Sequence, residues 1–384
     1  MGLYELAILG EPSPDQRNQV RDTLAELVAP FNLIIGTEIV LYDAASVPST
    51  PSHTAFAAVY FSGPKQAEAV MARQLLSMGV PVIPVPPVGG KFTDLPAGLQ
   101  GANGMALRSE DPELVELASA LLECVGLLRK QRRAFVSYRR TESRNAAAQI
   151  HDLLAGKAFD VFLDTHDIRP GDPFQEVLWH RLCDSDVMVM LDTDTYFSSS
   201  WTRQELARAR AKDIQVLRVV WPGRSPDVRT SLAETVYLGA GDLKGTDGPI
   251  ADAIADKIVL EVESLRSRAI AARYRAITGK FSAELDVMGA TIEGIGAHRA
   301  IGVRLIDGKR LWAYPVVGIP TAEIFNDIAD KALRARHADK LILIYDHVGI
   351  SDQWSAHLKW LDENIATVRA IKAREAAWDL GRYA

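Results

Sequence analysis

Four short apolar runs in the middle of the chain, AFVSY, DVFLD, DVMVML and IQVLRVVW, alternate with segments of helical spacing. The intervening segments are SRNAAAQIHDLLAG, PFQEVLWHRLCDS and TRQELARARAK. Strands that read as nearly continuous apolar runs, rather than as apolar and polar residues in alternation, are buried on both faces. A parallel sheet with helices on either side satisfies that pattern, so the centre of the chain is expected to be an open α/β layer structure.

The same alternation continues on both sides. LYELAIL, EIVLYD, AAVYF and VPVIPV are strand-like, and QRNQVRDTLAELV and KQAEAVMARQLLSM carry helical spacing. A further helix is expected near 112–130, ending in the basic RKQRR. After the central unit, PIADAIADKIVLEVESLRSRAIAARYR predicts a long amphipathic helix that doubles as a connector. Then AIGVRLIDGKRLWAYPVV predicts two strands around an Asp307-Gly308 turn, TAEIFNDIADKALRARH a helix, KLILIYD a strand, and the segment from Trp354 to Leu380 one closing helix. At roughly 100–200 residues per domain, 384 residues accommodate three α/β modules, expected at 1–130, 131–265 and 266–384. The strand, helix, strand plan of 57–85 echoes that of 186–220. Either the first module is a degenerate relative of the second, or both share a plan common to α/β proteins.

Charge and cysteine content exclude several classes. A net charge of −6 argues against a general nucleic-acid binder. Cys124 and Cys183 stand at no metal-ligand spacing, which fits a reducing cytoplasm and predicts neither disulfide nor metal site. The start MGLYELAILG lacks a basic leader, and LVELASALLECVGLL is short and carries two glutamates, so neither signal peptide nor membrane span is expected.

In an open parallel sheet, ligands sit beyond the carboxyl ends of the strands. Three central strands end there in polar loops. The first ends in Ser137, Tyr138, Arg139 and Arg140, whose guanidinium groups could hold phosphates or simply pair with nearby carboxylates. The second ends in DTHDIRPGD, where Pro170-Gly171 sets a turn, Asp172 can cap the next helix, and Asp164, Asp167 and Arg169 are displayed. The third leads to SSSWTRQELARA, with serines for a helix start and Trp201 and Glu205 four apart on one helix face.

Together, FVSYRRTES, FLDTHDIRPGD and SSSWTRQELARA resemble the successive signature segments of the TIR (Toll/interleukin-1 receptor) domain, over about 133–265. The resemblance implies a flavodoxin-like parallel sheet. It further implies the activity of the enzymatic members, cleavage of the nicotinamide-ribose bond of NAD⁺ as a substrate, with no cofactor or metal. By that resemblance Glu205 is the candidate catalytic carboxylate. Phe135, Ser137, Tyr138, Arg139, Asp164, Arg169 and Trp201 are candidate substrate contacts. Asp167, Ile168, Arg169, Pro170, Gly171 and Asp172 form the BB loop expected to mediate self-association, with filaments as one form. A carboxylate beside the ribose suits an oxocarbenium-like transition state with a cationic leaving group.

The flanking modules are then expected to sense a ligand or partner or to drive assembly, as in bacterial TIR proteins of antiphage defence. Two rival readings carry different expectations. A non-enzymatic TIR scaffold would tolerate another residue at 205, and a nucleoside deoxyribosyltransferase-like enzyme shares the sheet and a carboxylate acting at a sugar C1.

Overall fold

The computed structural model describes residues 2–50, 53–107, 114–163, 174–225, 227–337 and 339–381. Three sheets account for the strands. The first contains β1 (Tyr4–Gly10), β2 (Ile39–Tyr42), β3 (Ala55–Phe61) and β4 (Val82–Val85), all parallel in the order β2-β1-β3-β4, with α1 (Pro14–Val28), α2 (Ala69–Ser77) and α3 (Leu114–Cys124). α1 starts where the sequence places a stop and a cap: Ser13 accepts from the Gln16 amide, Gln16 returns the bond, and Pro14 occupies the first turn. α2 starts four residues later than Lys65, where the helical spacing begins, because Glu68 sits in the left-handed region at φ 62°.

The central sheet contains β5 (Arg133–Ser137), β6 (Asp160–Leu163), β7 (Val187–Asp192), β8 (Gln215–Val220) and β9 (Glu234–Tyr237). Its helices are α4 (Arg144–Gly156), α5 (Phe174–Asp184), α6 (Ser200–Ala211) and α7 (Asp252–Val287). The strand order β6-β5-β7-β8-β9, parallel throughout, is the flavodoxin-like order, and it places the topological switch between β5 and β7. Period-2 alternation sends Ala134, Val136 and Tyr138 into one core layer, and Phe135 into the other. The first layer packs on α4 and α7, through Ile150, Leu154, Ile258 and Val262. The second packs on α5 and α6, through Leu178, Leu182, Leu206 and Ala209.

The third sheet contains β10 (Thr291–Ile295), β11 (Ile301–Arg304), β12 (Arg310–Val316), β13 (Lys340–Tyr345) and β14 (Val368–Lys372) in chain order. Its helices are α8 (Ala322–Arg334), α9 (Asp352–Asn364) and α10 (Ala376–Gly381). β10 to β12 run antiparallel and β12 to β14 parallel. The Asp307-Gly308 turn joins β11 and β12 as expected, with Gly308 at φ 83°. The expected closing helix is instead helix, strand and helix. Val368 and Ile371 are buried, and the Asp362 carboxylate accepts from the Ala370 amide and from Arg369, which holds β14 at the sheet edge.

Backbone contacts divide the chain into two units where the sequence suggests three modules: 1–128 with 270–347 and 352–384, and 129–269 with 348–351. The first and third sheets belong to the same unit because their loops share polar bonds. The Asn103 side-chain amide donates to Ala297 O at 3.0 Å, the Ala297 amide to Asn103 O at 2.8 Å, and Arg310 to Gly101 O at 2.8 Å. Gly296 permits this approach, since a Cβ there would lie 2.1 Å from Asn103 O. The long connecting helix is as expected: residues 255–265 of α7 belong to the core of the central unit and 270–285 to that of the other.

A buried ionic joint fixes the first half of α7 to the amino ends of β5 and β7. Arg132 donates twice to Glu263, at 2.9 and 2.6 Å, and Arg266 to Asp186 at 3.0 Å, with Arg132 4.2 Å from the Phe159 ring centre. Both arginines are fully buried. The anchoring network therefore occupies one end of the sheet, and the carboxyl-end crevice the other. Among the described residues no helix is long and apolar enough to cross a membrane.

Candidate functional site

β5 delivers Ser137 to the carboxyl edge on the face that carries Phe135, which is the face covered by α6. α6 begins at a cap, Ser199 accepting from the Trp201 amide at 3.2 Å, and presents Thr202, Glu205, Leu206 and Ala209 inward. Ser137 and Glu205 meet there: the serine hydroxyl donates to the Glu205 carboxylate, whose residue is only 5% exposed. A buried carboxylate requires such a donor, because desolvation without one costs several kcal/mol by rough estimate.

The Ser137 oxygen also lies 2.6 Å from the Tyr196 hydroxyl. Tyr196 belongs to a short turn of 3-10 helix after β7 and is fully buried. Thr202 of α6 donates to the Tyr196 carbonyl, and Arg203 to the Phe197 carbonyl at 2.6 Å, so the turn and the helix are held as one piece. Burial, and then the charge of Glu205, push the Tyr196 phenol well above its ordinary value. Tyr196 is therefore a proton donor at neutral pH.

The edge on either side is charged. Arg139 donates from Nε to Thr195 Oγ1 at 3.2 Å, and Thr195 is further held by the Glu142 carboxylate, at 2.9 Å from its hydroxyl and 3.2 Å from its amide. Burial raises Glu142, but bonds from Thr193 and Thr195 outweigh it and hold the carboxyl below its usual range. At the end of β7, Asp192 is fully buried with Arg224 Nε 2.7 Å away. Burial raises its pKa against the opposing pull of Arg224.

The sequence-derived candidates thus separate. Ser137 and Glu205 come together, and Trp201 stands at the rim, 43% exposed, its ring 6.4 Å from that of Trp179. Phe135 is fully buried and stacked on Phe162 at 5.3 Å, so it supports the site from beneath and does not wall an open pocket. Tyr138 is buried on the opposite face of the sheet, where alternation along β5 sends it. Arg139 reaches the loop after β7. Asp164, Arg169 and the loop from Asp167 through Ile168, Pro170 and Gly171 to Asp172 lie outside the described residues.

Tyr196 is a member of the cluster that the sequence reading does not single out. Among the described residues no group of three or more His, Cys, Asp or Glu could hold a metal ion.

In the first sheet the corresponding helix carries Glu68. Its carboxylate accepts from the Gly10 amide at 2.6 Å, so it is engaged by the backbone at the end of β1.

Residues 134–248 match the TIR domain family, the region that contains β5 to β9 and α4 to α6. No curated protein matches the sequence. Among solved structures, a tagatose-6-phosphate ketose/aldose isomerase from Escherichia coli is similar at 15% identity, over 70% of this chain and 81% of that one. Its TM-score is 0.20.

Proposed function

Starting from a chain that carries a TIR domain at 134–248, we propose that it cleaves NAD⁺ at the nicotinamide-ribose bond with Glu205 as the catalytic carboxylate. The observation that carries this reading is the burial of Glu205 beside the β5/β7 switch point, with its carboxylate held by Ser137. A carboxylate fixed in a low-dielectric site stabilises positive charge far better than one in water.

In the proposed reaction the C1′–N bond breaks and its electron pair goes to the nicotinamide ring nitrogen. Positive charge develops on the ribose, where Glu205 stabilises it. Water adds at C1′ and loses a proton, giving ADP-ribose and nicotinamide. An internal nucleophile of the ADP-ribosyl group would give a cyclic product instead. Trp201 at the rim suits stacking on the nicotinamide, and Arg139 suits the pyrophosphate.

Glu205 is closed over by Ser137 and its neighbours, so substrate entry requires the carboxyl edge to open. Self-association of TIR domains through residues 167–172 is the proposed trigger, within a role in bacterial antiphage defence. The test incubates purified protein with NAD⁺ over a wide dilution series and chromatographs the products. Turnover per molecule that rises with concentration, together with oligomers in light scattering, supports the reading. Intact NAD⁺ under strongly assembling conditions returns the protein to the non-enzymatic scaffold class.

A further inference from the structure

Arg299 is 8% exposed and has no carboxylate within ion-pair distance among the described residues. Its Nε donates to Cys124 O at 2.5 Å, and its guanidinium carbon lies 3.6 Å from the centre of the Tyr274 ring. The terminal nitrogens make no hydrogen bond to the protein among the described residues. Burying a cation without a counter-charge is costly, and structures normally avoid it by pairing. Burial pulls this arginine below its ordinary value, the expected signature of that cost. The local backbone is unusual as well: His298 and Arg299 are successive non-glycine residues at φ 59° and 55°. Such conformations cost roughly 1–3 kcal/mol each and persist where surrounding structure imposes them.

The carboxylate whose charge acts on Arg299 is Glu123, and it is engaged elsewhere, by His298 at 2.6 Å and Lys331 at 2.5 Å. Arg299 instead lines a cleft of about 550 Å³ within its own unit, bounded by α7, β10 and the end of α2. That volume suits a ligand of nucleotide size. On the cleft side α7 presents Arg275, Thr278 and Ser282, spaced so that they share one helix face. Arg275 is exposed and has no ion-pair partner among the described residues. The one acidic residue lining the cleft, Glu293, is neutralised by Arg304 at 2.8 Å and Arg310 at 2.9 Å.

From these contacts we infer that the cleft is a binding site for a phosphate-bearing small molecule, with Arg299 as its fixed anchor, Arg275 as a second cation and the Thr278 and Ser282 hydroxyls as further donors. A guanidinium whose plane is fixed by stacking and by one hydrogen bond offers its remaining N–H groups as a preformed fork for phosphate oxygens. The site is separate from Glu205 chemistry and does not depend on it. Free phosphate, a phosphosugar and a nucleotide share the recognised group.

The experiment measures binding to the full-length protein by calorimetry, with inorganic phosphate, ribose 5-phosphate and AMP as probes and uncharged adenosine as control. At least one phosphate compound is expected to bind, weakening with added salt, and adenosine is not. The order of the three affinities identifies the source of the phosphate. Arg275→Gln, at an exposed position that leaves the fold intact, should weaken binding by about 10-fold, the loss of one charge-assisted contact. Arg299→Gln should abolish it if the variant folds. Glu205→Gln should leave the affinity unchanged. Absence of binding by all three compounds at millimolar concentration overturns the proposal, as does equal binding by wild type and Arg275→Gln. Loss of binding in Glu205→Gln also overturns it, since the phosphate would then be entering the TIR site.

Discussion

The Ser137 hydroxyl donates to Glu205, and its oxygen lies 2.6 Å from the Tyr196 hydroxyl, which fixes the direction of both bonds. A serine has one proton. With that proton given to the carboxylate, Tyr196 must donate to Ser137, and the phenol held well above its ordinary pKa can do so throughout the neutral range. The order is therefore Tyr196 to Ser137 to Glu205, a relay that holds the carboxylate in place.

Glu205→Gln preserves the shape of the side chain and an acceptor for Ser137 while removing the charge. Turnover of NAD⁺ should fall by ~100-fold or more, as expected for loss of an electrostatic stabiliser in a buried site. Circular dichroism should remain that of the wild type. Undiminished turnover in the folded variant would remove Glu205 from the chemistry.

Tyr196→Phe and Ser137→Ala interrupt the relay at different points. Tyr196→Phe removes one donor from Ser137 and should cost about 0.5–1.5 kcal/mol of stability. Ser137→Ala leaves the Glu205 carboxylate and the Tyr196 hydroxyl without their shared partner, so it should cost more, about 1–3 kcal/mol. Equal effects in denaturant titrations would show that the tyrosine does not act through the serine.

The central strands were legible for a physical reason: β5, β7 and β8 are covered on both faces, so most side chains in them are apolar. β9 and β14 were not, because ETVY and VRAIK are edge strands that mix polar with apolar residues without a period and resemble their flanks. The placement of Glu205 beside the strand ends was legible from the motif around it. Tyr196 was not, since its role depends on reaching Ser137 across 59 residues of chain, and no local spacing encodes that. The motif likewise could not separate Phe135 from Ser137, which share a face of β5 but differ in depth.

Depth leads to a paired test. Phe135→Ala should destabilise the central unit by about 3–5 kcal/mol, the range for deleting a buried aromatic ring. Tyr138→Phe, on the far face of the sheet, should leave kcat/KM for NAD⁺ within twofold of wild type. A tenfold drop in kcat/KM for Tyr138→Phe at wild-type stability would place its hydroxyl on the substrate.

Acid lability should arise in the unit of the first and third sheets. Burial raises Glu123, but the hydrogen bond and charge of His298, followed by Lys331, outweigh it and hold the carboxyl at about 2. Its folded pKa lies below the unfolded value, so this stabilisation is complete above about 4.5 and is lost as pH falls toward 2. His337, stacked on Trp312 at 4.1 Å, is lowered to about 4 by burial and then by Arg310 and His298. The unfolded chain binds its proton first, so stability should already fall between pH 6.5 and 4. Urea midpoints across this range should decline in two stages, and Glu123→Gln should flatten the lower one. An unchanged lower stage would assign it to other carboxylates.

Glu68 separates a shared sheet plan from a shared active site. The first sheet repeats the order of the first four strands of the central one, and Glu68 starts the helix after β3 as Glu205 lies in the helix after β7. Their carboxylates do different things. Glu205 accepts from a side chain at a strand end, whereas Glu68 accepts from the Gly10 amide at 2.6 Å and stands at φ 62°. β1 ends in Gly10, with no hydroxyl at the position that Ser137 occupies on β5. Glu68→Gln should therefore weaken the charge-assisted bond to Gly10 and lower stability by about 1 kcal/mol, with NAD⁺ turnover unchanged. If Glu68→Gln abolishes cleavage in a folded protein while Glu205→Gln retains it, the reacting carboxylate belongs to the first sheet and the assignment of the site is reversed.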